Sequence, residues 1–392
     1  MKKDFLPFLL MISLLACCME IDMSVASFPA MRIHFKVSQT IIQMTIAYNF
    51  LGFCIACGFY GPLSECYGRK KVMVIGNALM IVGALGCFMS NNSINFLLFA
   101  RFIQGLGAAT SIVVAFAIIA DIYQGKHAVR AIGLMNSSLT VFMAAAPILG
   151  AFVNETIGWR GNYAIILIIT LLSWLLLVFF LPETKKKLDV FDMKKILMDY
   201  KKLFSDPYFT IASLIPSLLC AGYMAFVACS SFLYVESMGL SIIQYAMHQG
   251  CIVGSFSIVS LFADKIIVKY DKKKLLLFCS AVSVLGALIF VLSSILLPLC
   301  PFVVTVIMII IAAVIAIIYL IVFAQSLEIH PKIKGTASSA IMGVRALLMS
   351  GLVTISGYLF NGSPLSIALI ILITYIIAAI LTLKFLRYMT AH

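Results

Sequence analysis

The sequence predicts an all-α membrane protein in which twelve transmembrane helices form two six-helix pseudo-repeats. Three observations predict this fold class: the composition, the number of long apolar runs and the distribution of basic residues. Of the 392 residues, 63% are hydrophobic and only 11% are charged, and the mean hydropathy is +1.12. A soluble domain is closer to half apolar and a quarter charged. The composition therefore indicates a chain that crosses a membrane many times.

Twelve apolar runs are long enough to cross a membrane, since a spanning helix needs about 20 mostly apolar residues. Gly, Pro, Asn or charged residues separate each run from the next. Strands of a membrane β-barrel would alternate over about ten residues, and these runs do not alternate. The predicted spans are 5–28, 41–63, 72–91, 95–121, 131–153, 161–181, 208–234, 243–264, 274–297, 301–328, 336–359 and 364–386.

Lysine and arginine predict the orientation of these spans. The termini and alternate loops, which all fall on one side, contain 23 of the 28 basic residues. The loops of the other side contain Arg32, Lys36 and Arg160. Because cytoplasmic loops are enriched in basic residues, we expect both termini in the cytoplasm. The same asymmetry explains the net charge of +13 without a nucleic-acid partner.

A linker rich in lysine and aspartate divides the chain into two halves. We expect one six-helix bundle over 1–181, a cytoplasmic linker over 182–207 and a second bundle over 208–392. In each half an acid ends the second run and the fourth run, and parallel repeats of this kind occur in one large class of secondary transporters. These acids are Glu65, Asp121, Asp264 and Glu328.

Residue patterns for catalytic or cofactor chemistry do not stand out. The eleven cysteines lie mostly within apolar runs, where cysteine behaves as a small hydrophobe. The five histidines form no cluster with cysteines or acids, and the GxxxxGK[ST] loop of nucleotide-binding proteins does not occur. We therefore expect no metal, no cofactor and no enzymatic activity.

The segment GPLSECYGRKK follows the second run. Its glycines allow a tight turn, and an acid four residues before an arginine can pair with it. The segment resembles the signature loop of the major facilitator superfamily, with Glu65 where aspartate is more usual. The resemblance implies a conformational latch rather than a substrate site. The gating residues it implies are Gly61, Glu65, Gly68, Arg69 and Lys70.

The segment FARFIQGLGAAT places Arg101 within the fourth run, and an arginine inside a membrane normally faces a cavity or a partner. A dinucleotide fingerprint is rejected, because Thr110 replaces its third glycine and no strand precedes it. The segment resembles the Arg-x-x-Gln-Gly-x-Gly motif of drug–proton antiporters, with Gln104 matched as well. That resemblance gives Arg101 a role in proton coupling. The alternative is an arginine that only packs helices near the outer surface.

The fifth run contains AAAPILGAF, which resembles the Gly-Pro-x-x-Gly-Gly motif of antiporters. Pro147 and Gly150 match, whereas Ala146 and Ala151 replace two glycines. Proline and glycine within a spanning helix are tolerated because neighbouring helices satisfy the freed backbone groups. The partial match leaves export and import both open.

Four further segments, EIDMSVASFP, SDPYF, GYMAFVACSSF and GTASSAIMGVR, extend a resemblance to the Bcr/CflA group of bacterial drug-resistance antiporters. In the first of them, Ser24 and Ala26 depart from the group's pattern. Relatives also often carry basic residues late in the fourth run, where this chain has Phe116 and Ala120. The resemblance implies a monomeric inner-membrane exporter of small amphipathic compounds that exchanges them for protons.

The first run carries two acids, Glu20 and Asp22, which point in nearly opposite directions on a helix. A lipoprotein signal cleaved before Cys17 is disfavoured, because Leu15 stands where a small residue is usual. We expect Asp22 to line the central cavity and exchange protons. Glu20 would face the fifth helix or the outer mouth, or extend to the interface, and a Glu20→Gln change would be milder than Asp22→Asn. Arg345, in the eleventh run, is a partner charge or a packing residue.

The sequence therefore predicts a secondary transporter that works by alternating access, with its substrate and protons as partners and the bilayer as its surroundings. Uptake or exchange of a metabolite on the same fold is the alternative within this class. A membrane-embedded enzyme or a receptor is the alternative from another class. An enzyme would need a convergent polar cluster, and a receptor would not need Asp22 and Arg101.

Overall fold

The computed structural model describes residues 5–123, 125–185, 187–297 and 299–391, apart from the side chains of 5, 120, 125–138, 264, 332 and 389–391. These ranges contain fourteen α-helices and no strand. The helices are α1 (Phe5–Val25), α2 (Phe28–Phe35), α3 (Gln39–Tyr67), α4 (Arg69–Met89), α5 (Ile94–Ile122), α6 (Gly125–Thr156), α7 (Trp159–Phe180), α8 (Met193–Ser205), α9 (Pro207–Ser231), α10 (Ile242–Lys269), α11 (Lys272–Leu296), α12 (Pro301–Ile329), α13 (Lys334–Leu359) and α14 (Pro364–Ala391).

Twelve of these helices are long and apolar enough to cross a membrane, so the predicted number of spans is confirmed for the described part of the chain. Each of the twelve apolar runs overlaps one of them. The first run is interrupted, because α1 ends at Val25 and the short helix α2 begins at Phe28. The seventh span continues beyond α9 as a π-helical turn over Phe232–Ser237.

The linker is not simply a loop, since α8 lies within it. The Asp192 side chain caps the first turn of α8 by accepting a hydrogen bond from the backbone N–H of Lys195. Leu203 on α8 is buried in an apolar cluster with Phe209 of α9 and Ile341 of α13. The linker is therefore anchored to the second half of the chain at its α8 end.

Two pairs of helices join the halves of the chain, since α3 packs along α13 and α6 packs along α10. We call the side on which α1 begins and α8 lies the terminal face, and the opposite side the distal face. Asp121 and Glu328, from the predicted repeat, form ion pairs with Arg69 and Lys334 near the terminal face. The side chain of Asp264 lies outside the described residues. The exact boundaries of the two bundles remain a prediction.

The distal face is closed by polar contacts between the halves. Glu236, on the π-helical turn, forms an ion pair with Arg32 at 3.3 Å and accepts a hydrogen bond from the Gln39 amide at 2.8 Å. Nearby, the Thr40 hydroxyl donates to the backbone carbonyl of Gly357 at 2.7 Å. An apolar cluster that includes Phe28 of α2 and Phe232 of the π-helical turn continues the closure below them. These contacts join the two halves at the distal face in this conformation.

Candidate functional site

Glu20 of α1 and Arg101 of α5 form a buried ion pair within the membrane-spanning region. The carboxylate Oε2 lies 3.7 Å from Nη1 of the arginine, and the two side chains are 2% and 0% exposed. A charged pair removed from water needs further hydrogen bonds to be stable. The residues around this pair supply several of them.

Asn49 and Gln104 frame the ion pair. The Asn49 amide donates to Glu20 Oε1 at 3.1 Å and to the backbone carbonyl of Arg101 at 3.3 Å. Arg101 Nη1 donates to Gln104 Oε1 at 2.7 Å, and its Nε donates to the Thr45 carbonyl at 3.4 Å. The guanidinium also lies 5.9 Å from the ring centroid of Tyr163. The group therefore ties α1, α3, α5 and α7 together.

Glycine allows α3 and α5 to approach closely at this point. A Cβ atom on Gly105 would collide with the backbone carbonyl of Asn49, and one on Gly52 would collide with that of Phe102. Small residues at helix contacts in membranes permit this approach. Gly105 of FARFIQGLGAAT and Gly52 of α3 thus bring the Asn49 amide within reach of Glu20 and Arg101.

Several polar atoms of the cluster have no hydrogen-bond partner among the described residues: Nη2 of Arg101, Nε2 of Gln104 and Oε2 of Glu20, whose only contact is the ion pair. Buried polar networks are strongly favoured when complete and unfavourable when incomplete. The arrangement can therefore exchange hydrogen-bond partners when charge or conformation nearby changes.

Asp22 lies on a different side of α1. Its carboxylate is near Tyr223 of α9 and Tyr245 of α10, and it forms no ion pair or hydrogen bond with a described residue. One face of α1 becomes steadily more covered toward Asp22: Phe8 is 53% exposed, Leu15 and Cys18 are partly exposed, and Asp22 is 6% exposed. Since α5, α6 and α7 cover the other sides of α1, this face is directed toward the second half. We call the space between this face and the second half the cleft.

The expectation that Glu20 faces the fifth helix or the outer mouth is wrong, and so is an extension to the interface. Its carboxylate is enclosed between α3 and α5, because the rotation of α1 directs it to Asn49 and Arg101. Arg101 is fully buried, and its role in proton coupling remains a prediction. Sequence reasoning did not identify Asn49, whose signal was an amide in the middle of an apolar run.

The residues of the predicted gating loop lie at the terminal face. Gly68 has a φ of +95°, and a Cβ there would collide with the Glu183 carboxylate. Glu183 accepts hydrogen bonds from the backbone N–H groups of Arg69 at 2.9 Å and Lys70 at 3.2 Å. A carboxylate at a helix N-terminus is favourable for the helix dipole. The turn therefore fastens the start of α4 to the segment that follows α7.

Arg69 connects this turn to two more helices. Its Nε lies 3.0 Å from Asp121 of α5, and its Nη1 donates to the Ser64 hydroxyl at 2.6 Å. Glu65 is 4.0 Å from Arg69 and also approaches the start of α13, where a Cβ on Gly335 would lie 3.9 Å from its Oε1. The gating role of this loop remains a prediction.

The motif residues of α6 form a close contact with α1. Pro147 lies inside α6, and a Cβ on Gly150 would lie 2.6 Å from Cα of Met23. The Asn162 amide of α7 bridges this contact by donating to the carbonyls of Met23 and Gly150, each at 3.0 Å. Because Met23 directly follows Asp22, its contact with Gly150 limits how α1 can rotate at Asp22.

The family model described as Major Facilitator Superfamily matches residues 10–354. The chain belongs to the major facilitator superfamily. It is therefore a multi-pass membrane transporter, and the predicted family and fold class are confirmed.

Members of this superfamily that resemble the chain include proteins named for drug resistance. It is 28% identical over 268 residues to chloramphenicol resistance protein CraA of Acinetobacter baumannii, covering 67% of the chain and 63% of that protein. It is 25% identical over 333 residues to a bicyclomycin resistance protein homolog of Haemophilus influenzae, covering 83% and 82%. It is 27% identical over 267 residues to multidrug resistance protein MdtL of Shigella dysenteriae, covering 68% and 67%. The predicted resemblance to the Bcr/CflA group is confirmed.

Among solved structures, the chain resembles a D-xylose–proton symporter with a TM-score of 0.77 and 15% identity, covering 97% of each chain. It also resembles the human organic anion transporter MFSD10, with a TM-score of 0.70 and 14% identity, covering 97% of this chain and all of that one. At these identities the likeness establishes the major facilitator fold alone.

Proposed function

We propose that this superfamily member exports small amphipathic compounds from the cytoplasm in exchange for protons, by alternating access. One observation supports the proposal most directly: α1 carries a carboxylate with a buried counter-ion, Glu20, and two residues later one without, Asp22. An ionisable group inside a membrane is costly and usually functional. The names of the drug-resistance relatives support export as the direction.

In this mechanism Asp22 is the proton carrier. When the cleft opens to the outside, its carboxylate takes a proton and becomes neutral. When the cleft opens to the cytoplasm, the proton leaves and the carboxylate attracts a cationic or polar compound. Desolvation between the halves favours the neutral form of a carboxylic acid. Loading with a proton or a compound therefore removes the unfavourable charge and allows the halves to close around it.

We propose that the Glu20–Arg101 cluster rearranges when Asp22 gains or loses its charge. It joins four helices and has donors without partners, so a small rotation of α1 at Asp22 alters its hydrogen bonds. The contact between Gly150 and Met23 transmits the same rotation to α6, which packs on α10 of the other half. We propose that Arg101 and Gln104 couple proton binding to movement in this way.

We propose that the protein lies in a bacterial inner membrane as a monomer, with both termini in the cytoplasm. The two bundles, 1–181 and 208–392, move against each other about the linker at 182–207, and the loop from Gly61 to Lys70 acts as a latch. In this proposal the protein requires no cofactor or metal, and it performs transport rather than catalysis.

Uptake of a metabolite is the second candidate, and α6 favours it. Ala146 and Ala151, both fully buried, stand where the antiporter motif has glycine. The two directions differ in their proton requirement. In inverted vesicles, an exporter accumulates compound when the interior is acidic, whereas a proton symporter releases it under the same gradient.

Susceptibility profiling tests the proposal first. Cells with and without the gene are compared across a broad panel of toxic compounds, with Asp22→Asn as an inactive control. We expect the gene to raise resistance to several amphipathic compounds and Asp22→Asn to abolish that resistance. Compounds found in this way then serve in the vesicle assay. Increased susceptibility to compounds of the panel, together with proton-driven release of those compounds from inverted vesicles, would favour uptake instead.

A further inference from the structure

Arg345 is a membrane-embedded cation with no carboxylate partner among the described residues. It lies in the middle of α13, where Nη1 donates to the Tyr319 hydroxyl and Nη2 contacts Met342 Sδ, each at 2.9 Å. The guanidinium also lies 5.5 Å from the centroid of the Tyr319 ring. A guanidinium has five N–H donors, so these contacts leave most of its hydrogen-bonding capacity unused.

The surroundings of Arg345 place it between the halves rather than against lipid. The thiols of Cys57 on α3 and Cys220 on α9 lie near its guanidinium. Two residues earlier, a Cβ on Gly343 would lie 3.8 Å from the backbone carbonyl of Cys54. Arg345 is nevertheless partly exposed. A partly exposed arginine with neighbours on helices of both halves faces the space between them.

Asp22 approaches the same stretch of α9 from the opposite half. Its carboxylate is near Tyr223, whereas Arg345 is near Cys220. These two α9 residues are three positions apart, so they share a face of the helix and are separated by about 4.5 Å along its axis. Both are partly exposed. Two opposite charges, neither of which has an ion-pair partner among the described residues, thus lie near one short segment of α9.

The contrast with Arg101 indicates what Arg345 does. Arg101 is fully enclosed and has Glu20 as its counter-ion, which is how a buried arginine is stabilised in a membrane. Arg345 is partly exposed, and its contacts among the described residues are with the Tyr319 hydroxyl, the Tyr319 ring and the Met342 thioether. Its planar fork can bind a carboxylate through two parallel hydrogen bonds, and the Tyr319 contact holds it in position for such a ligand.

We propose that Arg345 binds a carboxylate of the transported compound while Asp22 receives its basic group, so that the site favours zwitterionic amphipathic compounds. Arg345 is then a substrate-binding residue and Tyr319 a positioning residue. This inference rests on the proposed export function. It adds a substrate class to that function and assigns a role to a charge that proton exchange at Asp22 does not use.

A matched pair of dyes tests the assignment. Rhodamine 110 carries a free carboxylate, and rhodamine 123 is its methyl ester, with the same cationic ring system. Binding of each dye to the purified full-length protein is followed by fluorescence anisotropy. The variants are Arg345→Gln, Arg345→Lys and Tyr319→Phe, and Arg160→Gln at the distal face is the control for loss of an arginine. Size-exclusion profiles and melting temperatures report whether each variant folds.

We expect the wild type and Arg160→Gln to bind rhodamine 110 more tightly than its ester. Arg345→Gln should weaken binding of rhodamine 110 by about tenfold or more, the value of a charge-assisted hydrogen bond, with little effect on the ester. The affinities of Arg345→Lys and Tyr319→Phe for rhodamine 110 should lie between those of the wild type and Arg345→Gln. Lysine keeps the positive charge without the planar fork, and Tyr319→Phe removes the hydroxyl that holds the guanidinium in position. If Arg345→Gln does not fold, these two variants carry the test.

Two results would overturn the assignment. Equal affinity of the wild type for the two dyes would remove the carboxylate preference, and an equal loss for both dyes in the variants would make Arg345 structural. Either result leaves export intact if a proton gradient still drives rhodamine 123 into inverted vesicles. Failure of the wild type to bind or transport either dye would count against the proposed function, and with it the substrate class.

Discussion

Glu20 and Arg101 are buried counter-ions of each other, although one lies in the first transmembrane helix and the other in the fourth. Their charged atoms are 3.7 Å apart, and neither side chain is more than 2% exposed. This pairing separates the two acids of α1 into different environments. Glu20 has a fixed partner inside the first half, and Asp22 faces the second half without one.

Removing the Glu20 carboxylate should destabilise the protein. In Glu20→Ala the guanidinium of Arg101 stays buried without a counter-ion, and breaking a buried pair in this way costs about 3–5 kcal/mol. We expect a lower melting temperature in detergent, measured by the fluorescence of the folded protein. Glu155→Ala is the control, because Glu155 is an exposed acid at the distal end of α6. Equal melting temperatures for the two variants would contradict a structural ion pair.

Arg101→Lys should separate charge from geometry. Lysine keeps the positive charge but lacks the planar fork that reaches Glu20, Gln104 and the Thr45 carbonyl together. We expect substrate binding to survive while a proton gradient no longer drives accumulation. Equilibrium binding and transport in inverted vesicles, measured on the same preparation, check this. Wild-type coupling in Arg101→Ala would show that the residue is structural only.

Asp22→Asn should fold but lose proton-driven export. The amide imitates the protonated acid and cannot release a proton. Since Asp22 forms no ion pair or hydrogen bond with a described residue, we expect the stability of the Asp22→Asn variant to equal or exceed that of the wild type. Glu20→Gln should show the opposite pattern, with reduced stability and residual coupling. Full gradient-driven transport by Asp22→Asn would refute its role as the carrier.

Gly68→Ala should slow transport without preventing substrate binding. The new Cβ would collide with the Glu183 carboxylate, and the alanine would have to adopt an unfavourable positive φ. Both effects would loosen the turn before α4. Gly158→Ala is a matched control, because Gly158 has a φ of +92° but open space where the Cβ would lie. Initial rates and dissociation constants distinguish the effects. Equal slowing in both variants would trace the defect to backbone strain, and lost binding in folded Gly68→Ala would contradict a latch.

Reporter fusions test the topology. Fusions after Lys187 and Lys334 should report the cytoplasm, and a fusion after Asn92 should report the outside, because basic residues are concentrated on one side. Periplasmic alkaline phosphatase and cytoplasmic green fluorescent protein give complementary signals. A cytoplasmic signal after Asn92 would reverse the orientation of the terminal and distal faces.

The sequence predicted the spans because hydropathy is a local property. Twelve long apolar runs needed no knowledge of their neighbours, and each coincides with a membrane-spanning helix in the described chain. The helix within the linker was missed because its stability comes partly from outside it, through burial of Leu203 against α9 and α13. Hydropathy also did not reveal the break between α1 and α2, since both are apolar.

The candidate site was only partly predictable, for a geometric reason. The sequence indicated that Glu20 and Asp22 point in different directions, but the rotation of α1 within the bundle decides which neighbour each meets. That rotation is set by contacts distant in sequence, such as Gly150 against Met23. Asn49 depends on a similar contact with Gly105. The pairing of Glu20 with Arg101 therefore became visible only in three dimensions.

The separation of the two acids also determines how the membrane voltage enters the transport cycle. In the proposed cycle, Glu20 and Arg101 cancel each other's charge while they stay paired, and Asp22 is the group that changes charge as it takes and releases a proton. With one proton per cycle, exporting a monovalent cation moves no net charge across the membrane. Exporting a zwitterion or a neutral compound moves one elementary charge inward, worth about 2.3 kcal/mol per 100 mV. The same transporter would therefore be electrically silent for one class of compound and generate a current with another.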